Sequence, residues 1–216
     1  MTGLMMKDAL VMRKTLRLYA LFLLFYSGLA VLGVFPMSMA LAMVEVIVMV
    51  LPISSFSYDE AAKWDRYAAV LPVGRTAVVK ARYLFLLLVL LAAAAIGLVG
   101  SILASLLARE DLGELLATLL VSMGLGLMTA DIMLPVVYQL GPERARPWMY
   151  VIIFAPIVVL LGGAKLGLFD GIDLSWLDQL PELAVLGVFA LVPLVPLVGM
   201  LLSCWISCRI YARKEF

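Results

Sequence analysis

Two carboxylates, Glu45 and Asp131, lie inside long apolar runs of the sequence. An unpaired charge near the centre of a bilayer costs about 2.5 to 3.5 kcal/mol on insertion scales, so neither side chain is expected to face lipid. Pro135 follows Asp131 by four residues and cannot donate to its carbonyl, which leaves a backbone acceptor beside a carboxyl group. These residues predict either a hydrated translocation pathway or interhelical hydrogen bonds that hold a helix bundle together.

The chain contains no histidine, and Cys204 and Cys208 are its two cysteines. A His-ligated metal site, a Ser-His-Asp relay and an imidazole proton shuttle are therefore excluded. The two cysteines are expected to be small packed residues without a disulfide. We predict no catalytic residue, no metal site and no enzymatic activity in this chain.

Six apolar runs must position these carboxylates, and each is long enough to cross a bilayer core, which takes roughly 20 residues of helix. With 65% hydrophobic residues, the sequence predicts an all-α polytopic membrane protein that forms one domain, 1–216. The predicted spans are 16–35, 37–56, 83–108, 115–140, 149–169 and 183–206. Small residues at a spacing of four, which let helices approach closely, are Thr118, Ser122, Gly126 and Ala130. Residues 1–15 are predicted to form an interfacial helix.

The basic residues divide unevenly between the two sides of these spans. Of the 16 Lys and Arg residues, only Arg109 and Lys165 fall towards one side, whereas 14 lie near the termini, in 57–82 or in 141–148. By the positive-inside rule, both termini and these two segments are predicted to be cytoplasmic. The net charge of +1 gives no indication of nucleic-acid binding.

Segment 57–82 carries its own helix signals. Ser57 and Glu60 fit a capping box, so we predict that a new helix begins at Ser57. One apolar stripe along this helix is formed by Ala61, Trp64, Ala68 and Leu71. Pro72 and Gly74 are expected to end it, and helix resumes near Thr76 into the third span. The alternative is an interfacial helix that only connects two spans.

Two segments resemble the small six-span permeases of the type-2 ABC export family. In the first, YDE, KWDRY, LPVGR and VVKARY are similar to that family's first cytoplasmic loop. In the second, an LP pair, Tyr138, Gly141, Glu143 and RAR are similar to the loop after its fourth span. Gly74 departs from the usual serine, and LGP replaces a phenylalanine-glycine pair. The resemblance extends to permeases of bacterial phenol-soluble-modulin and peptide exporters.

The resemblance implies a transmembrane subunit that works with a separate ATPase. The sequence lacks a GxxxxGK[ST] pattern, so ATP and Mg²⁺ would be bound by that partner. Two ATPase copies and a second permease chain, identical or similar, complete the implied assembly. The ATPase-coupling residues it implies are Asp59, Glu60, Lys63, Trp64, Arg66, Tyr67, Leu71 and Arg75 in the first segment, and Glu143, Arg144 and Arg146 in the second. The alternative for the basic residues is an ordinary anchor at the end of a span.

The expected function is export of an amphipathic peptide or hydrophobic molecule across the bacterial plasma membrane. The competing prediction is a proton- or ion-coupled secondary carrier in which Glu45 and Asp131 bind the coupling ion. The two differ in their energy source, because the carrier would transport its substrate without nucleotide.

Overall fold

The computed structural model describes residues 2–64, 67–68, 74–167 and 181–213. Within these ranges the chain forms seven helices of ten residues or more, and no strand occurs there. The helices are α1 Thr2–Val11, α2 Arg13–Val31, α3 Met37–Ala61, α4 Arg75–Leu107, α5 Leu112–Leu140, α6 Pro142–Lys165 and α7 Glu182–Ala212. Between α3 and α4, the described residues Trp64, Tyr67 and Ala68 are also helical.

The six helices from α2 to α7 are each long and apolar enough to cross a membrane. A helix pairs its backbone N–H and C=O groups internally, which is what a segment in lipid requires because no water is present to bind them. The chain is therefore a multi-pass membrane protein, and the predicted all-α fold with six spans is confirmed.

The helix at the centre of the bundle is α5, which packs most extensively against α7 and α3. Besides α5, helix α4 contacts α1, α2, α3 and α7. Among the described helices, α6 has substantial contact only with α5 and α3. Val44, Leu90 and Leu127 are fully buried in the core between these helices. The apolar residues left exposed on α2, α6 and α7 are those expected to face lipid.

Two glycines let α5 approach both of its principal neighbours. A Cβ atom on Gly126 would lie 3.2 Å from the Val48 Cβ of α3. A Cβ atom on Gly124 would lie 2.8 Å from the backbone carbonyl oxygen of Val192 on α7. The central helix is therefore in near-backbone contact with α3 on one side and α7 on another.

The two ends of the bundle differ in charge, and we call them the basic end and the acidic end. The acidic end holds the α2–α3 and α4–α5 connections, where Asp111 caps α5 by accepting the N–H groups of Gly113 and Glu114 at 3.2 and 3.4 Å. The Glu110 carboxylate accepts the N–H of Met37, the first residue of α3, at 3.1 Å. The basic end holds α1, the end of α3, the start of α4, the α5–α6 turn and the end of α7.

The prediction that a new helix begins at Ser57 is wrong. Instead, α3 runs through Ser57 to Ala61, and Lys63 then has a positive φ of 50°. The side chain of Asp59, at this end of α3, turns into the protein and forms an ion pair with Arg82. This tertiary contact favours continued helix over the local cap that the sequence pattern predicts.

The start of the next helix agrees with its prediction. Gly74 immediately precedes α4, whose first residue is Arg75, so helix resumes next to Thr76. The boundaries of the spans are less accurate, since α4 begins well before residue 83 and α7 ends at Ala212 rather than at 206. Residues 69–73 and 168–180, including Pro72 and the end of the predicted fifth span, lie outside the described residues.

Candidate functional site

A buried arginine, Arg82, lies at the basic end, where α1, α3 and α4 meet. It stands near the start of α4 and is only 4% exposed. Its guanidinium donates to Ser55 Oγ at 2.6 Å, to the carboxylate of Asp59, and to Asp8 Oδ1 at 3.4 Å. A buried charge is stable only when it is paired and hydrogen-bonded, and these contacts supply both conditions.

Lys7 supplies a second positive charge beside Arg82. Its Nζ lies 2.7 Å from Asp8 Oδ1 and 2.8 Å from Asp59 Oδ1. We call Lys7, Asp8, Ser55, Asp59 and Arg82 the Arg82 cluster, in which two cations balance two anions. The cluster joins α1 to the end of α3 and the start of α4, so the N-terminal helix is fixed at the junction of the second and third spans.

Aromatic rings extend the cluster to the ends of α5 and α7. The Arg82 Cζ lies 4.7 Å from the centre of the Phe56 ring. Phe56 meets Tyr138 edge to face with ring centres 4.6 Å apart, and Tyr138 meets Tyr211 in the same manner at 5.5 Å. Edge-to-face geometry is favourable for such rings and adds to their burial. The basic ends of four helices are thereby packed into one unit.

Two residues of the predicted ATPase-coupling set are engaged within the chain itself. Asp59 is a buried member of the Arg82 cluster. Trp64 is half-buried, packs against the hydrophobic core, and has the Nζ of Lys7 4.3 Å from its ring centre. These two side chains therefore hold the segment after α3 against the bundle.

Other members of the predicted set are exposed at the basic end. Glu60 lies in the last turn of α3, Lys63 and Tyr67 follow this helix, and Tyr67 is 65% exposed. Arg75 is also exposed and donates from Nη1 to the carbonyl of Ala212 at 3.0 Å, which joins the start of α4 to the end of α7. Arg66 and Leu71 lie outside the described residues.

The second predicted segment lies at the start of α6. Glu143, Arg144 and Arg146 are exposed, and Glu143 pairs with Arg146 at 3.2 Å. A small cavity is lined both by Glu60 of α3 and by the Gly141–Pro142 turn that precedes these residues. The structure thus brings the two predicted segments to neighbouring positions at one end of the bundle.

The two membrane-depth carboxylates belong to different helix contacts. Glu45 lies half-buried on α3, and its Cα is 3.4 Å from the position of a Cβ on Gly126 of α5. The half-buried Asp131 of α5 has its Oδ2 3.3 Å from the position of a Cβ on Gly199 of α7. In the described part of the chain, no group of three or more Cys, Asp or Glu residues is arranged to hold a metal ion.

The backbone acceptor predicted at Asp131 is occupied by a neighbouring helix. Pro135 lies inside α5 and has no N–H to donate to the Asp131 carbonyl. Ser203 of α7 donates to this carbonyl instead, at 2.6 Å. At this backbone group the structure favours the interhelical hydrogen bond over an open polar site, while the role of the carboxylate stays a prediction.

A hydroxyl network continues from this bond to α4. The buried Tyr83 hydroxyl is hydrogen-bonded to Ser203 Oγ at 2.6 Å and to Ser207 Oγ at 2.8 Å. Three helices are therefore linked through polar groups beside the Arg82 cluster: α4 through Tyr83, α7 through its serines, and α5 through the Asp131 carbonyl.

Replacing Tyr83 with phenylalanine is expected to lower the free energy of unfolding by about 1 to 3 kcal/mol, because Ser207 and part of Ser203 lose a buried partner. Thermal unfolding in detergent micelles, followed by intrinsic fluorescence, measures the change. Tyr150→Phe is the matched control, since Tyr150 is 58% exposed on α6 and should tolerate the loss of its hydroxyl. Equal unfolding midpoints for the two variants would contradict the proposed role of the network.

Sequence reasoning missed Lys7, Asp8, Ser55 and Arg82 as parts of a site. Lys7 is counted there only as a basic residue on the cytoplasmic side, Arg82 is in addition part of the VVKARY segment, and Ser55 falls in an apolar span. The available signal was Asp8, an acid among the basic residues that precede the first span. A carboxylate beside a membrane-embedded segment calls for a cationic partner, although the sequence does not say which one.

The comparison with known proteins gives one match. The family model described as "ABC-2 family transporter protein" matches residues 3–212, almost the whole chain. No curated protein and no solved structure matches.

Proposed function

The chain belongs to the ABC-2 family of transporter proteins, and we propose that it is the permease subunit of an ATP-driven exporter. The observation that carries the proposal is the family match over residues 3–212 of a 216-residue chain. The sequence contains no GxxxxGK[ST] pattern, so a separate ATPase subunit binds ATP and Mg²⁺ and supplies the energy.

The ATPase docks, in this proposal, on the basic end of the bundle. The exposed residues of the two neighbouring segments support this choice, because they combine an aromatic anchor with charges that fix register. They are Glu60, Lys63, Tyr67 and Arg75 around the α3–α4 connection, and Glu143, Arg144 and Arg146 at the start of α6. Arg66 and Leu71 belong to the same docking surface by their place in the sequence.

Asp59 and Trp64 have a different role in this proposal from the one that the resemblance implies. Asp59 pairs with Arg82, and Trp64 packs against the core and Lys7. These two side chains therefore hold the docking segment against the bundle without facing the ATPase. Movement of the ATPase would then act on the ends of α3 and α4 together, since the cluster joins them. This reassignment rests on burial: a side chain that is packed inside its own chain offers little surface to a partner.

The remaining parts of the proposal concern orientation and assembly. The basic end faces the cytoplasm of a bacterial cell, with both termini inside, as the positive-inside rule predicts. A second permease, identical or similar, and two ATPase copies complete the exporter, because one six-span chain is small for enclosing a pathway. The exported molecule is an amphipathic peptide or hydrophobic compound, and Glu45, Asp131 and Pro135 lie on its route.

Replacing Tyr67 with alanine tests the docking surface. We expect it to weaken binding of the ATPase subunit that co-purifies with the unmodified chain by about tenfold or more, which is the effect of removing one aromatic interface anchor. The measurement is the dissociation constant in detergent micelles, together with co-purification from membranes. Tyr150→Ala is the control, because Tyr150 has a similar exposure of 58% but lies within span α6.

Two results would contradict the proposal in different ways. If Tyr67→Ala binds the ATPase as tightly as the unmodified chain, the docking surface is elsewhere. If vesicles that contain only this chain transport substrate without nucleotide, the chain is a secondary carrier, and Glu45 and Asp131 become the residues to neutralise.

A further inference from the structure

A small cavity of about 80 Å³ opens at the basic end, between the last turns of three helices and one turn. Its aromatic walls are Phe56, Tyr138 and Tyr211, from α3, α5 and α7. Its carboxylates are Asp59 and Glu60, at the end of α3, and the Gly141–Pro142 turn forms another side. Aromatic rings and carboxylates therefore line the same cavity.

This combination of groups is suited to a cation. Aromatic faces attract ammonium and guanidinium groups, and a carboxylate at the same site adds a charge-assisted hydrogen bond. The chain already shows such chemistry beside the cavity, where Arg82 lies 4.7 Å from the centre of the Phe56 ring and pairs with Asp59. Two residues that line the cavity, Phe56 and Asp59, thus already contact a cation within the chain.

The carboxylate that remains for an incoming cation is that of Glu60. Asp59 is engaged by Lys7 and Arg82, whereas Glu60 is exposed and forms no ion pair with the residues that the structure describes. The Arg82 cluster is neutral overall, so Glu60 adds one net negative charge at the mouth of the cavity. On an otherwise basic end, this makes a local acidic position.

We infer that the cavity receives one cationic side chain, lysine or arginine, from the ATPase subunit. The inference rests on the proposed function, because it names the partner that would cover this end. One side of the cavity is formed by the end of α3, which leads into the first docking segment. Another side is formed by the Gly141–Pro142 turn, which leads into the second docking segment. A subunit that contacts both segments passes over the cavity, and its volume suits the tip of one side chain.

The test compares Glu60→Gln and Glu60→Lys for binding of the ATPase subunit that co-purifies with the unmodified chain. Removing one partner of a desolvated charge pair weakens binding strongly, so we expect Glu60→Lys to raise the dissociation constant about tenfold or more and Glu60→Gln to raise it several-fold. Both variants should also reduce the dependence of binding on salt concentration. Glu114→Lys is the control, since Glu114 is exposed at the acidic end.

Because Glu60 is exposed, both variants are expected to keep the unfolding midpoint of the unmodified chain, which is measured in parallel. Unchanged affinity for Glu60→Lys, with weakened binding for Tyr67→Ala, would overturn the cation cavity and leave the proposed function intact. Failure of the unmodified chain to bind the ATPase would overturn the proposed function itself.

Discussion

Replacing Arg82 with methionine is expected to lower the free energy of unfolding by about 3 to 5 kcal/mol, the cost of leaving buried charges without their partner. In the variant, Asp8 and Asp59 would share only Lys7, and the hydroxyl of Ser55 would lose its donor. The loss is expected as a lower thermal unfolding midpoint in detergent micelles and as faster proteolysis near residues 60–75. Methionine has a length similar to that of the arginine stem, so the packing of the stem is kept while the guanidinium, with its charge and hydrogen bonds, is removed.

The matched control is Arg144→Met, which removes an exposed arginine at the same end of the bundle and should change stability little. A second comparison separates charge from packing. When Arg82→Met is combined with Asp8→Asn alone, Lys7 and Asp59 remain as a balanced pair at 2.8 Å, and much of the lost stability should return. If Arg82→Met alone has the same thermal unfolding midpoint as the unmodified chain, the cluster does not hold α1, α3 and α4 together.

Replacing Gly124 with alanine is expected to destabilise the contact between α5 and α7 by about 1 to 3 kcal/mol, the usual cost of overpacking a tight site. The new Cβ would lie 2.7 Å from Val192 Cγ1, 2.8 Å from its carbonyl oxygen and 2.9 Å from its carbonyl carbon. A side chain can rotate away, but a backbone carbonyl cannot move without shifting α7. The unfolding midpoint and the rate of transport in reconstituted vesicles should both fall.

Gly187→Ala on α7 is the control for Gly124→Ala. A Cβ at Gly187 would meet nothing within 4 Å, and alanine is favoured over glycine inside a helix by about 1 kcal/mol. Both substitutions replace glycine with alanine, but Gly124→Ala is expected to lower the unfolding midpoint and Gly187→Ala to raise it. If both raise the unfolding midpoint, α5 and α7 are farther apart than the structure indicates.

The spans could be predicted from the sequence because each depends on one local property, an apolar run long enough to cross a bilayer. The missing intrahelical donor at the Asp131 carbonyl was predictable for a similar reason, because Pro135 has no N–H whatever the tertiary structure. Which group would replace that donor was not predictable. Ser203 lies 72 residues away, and no periodic pattern connects the two positions.

The contacts of α5 show how much a pattern of small residues predicts about helix packing. The spacing of four that includes Gly126 marks the side of α5 that meets Val48 of α3. Gly124 falls outside that spacing, yet it makes the closer approach, to Val192 of α7. A single stripe predicts one interface, whereas a central helix has several, and the others depend on where its neighbours lie.

The Arg82 cluster could not be predicted from the sequence because it, too, depends on where neighbouring helices lie. Its members come from three helices, and Asp8 is 74 residues from Arg82. The local signal at Ser57 even pointed the other way, because a capping box is a frequent helix start when no tertiary contact competes with it. In this chain the pairing of Asp59 with Arg82 decides the end of α3.

The position of Asp8 has a consequence for the order of events during synthesis. Asp8 leaves the ribosome long before Arg82, and α2 and α3 are made between them. Asp8 can therefore pair with Arg82 only after the start of α4 has been synthesised. Synthesis of the start of the third span, rather than of the first span, is then the step at which the N-terminal helix can complete its ion pairs with the bundle.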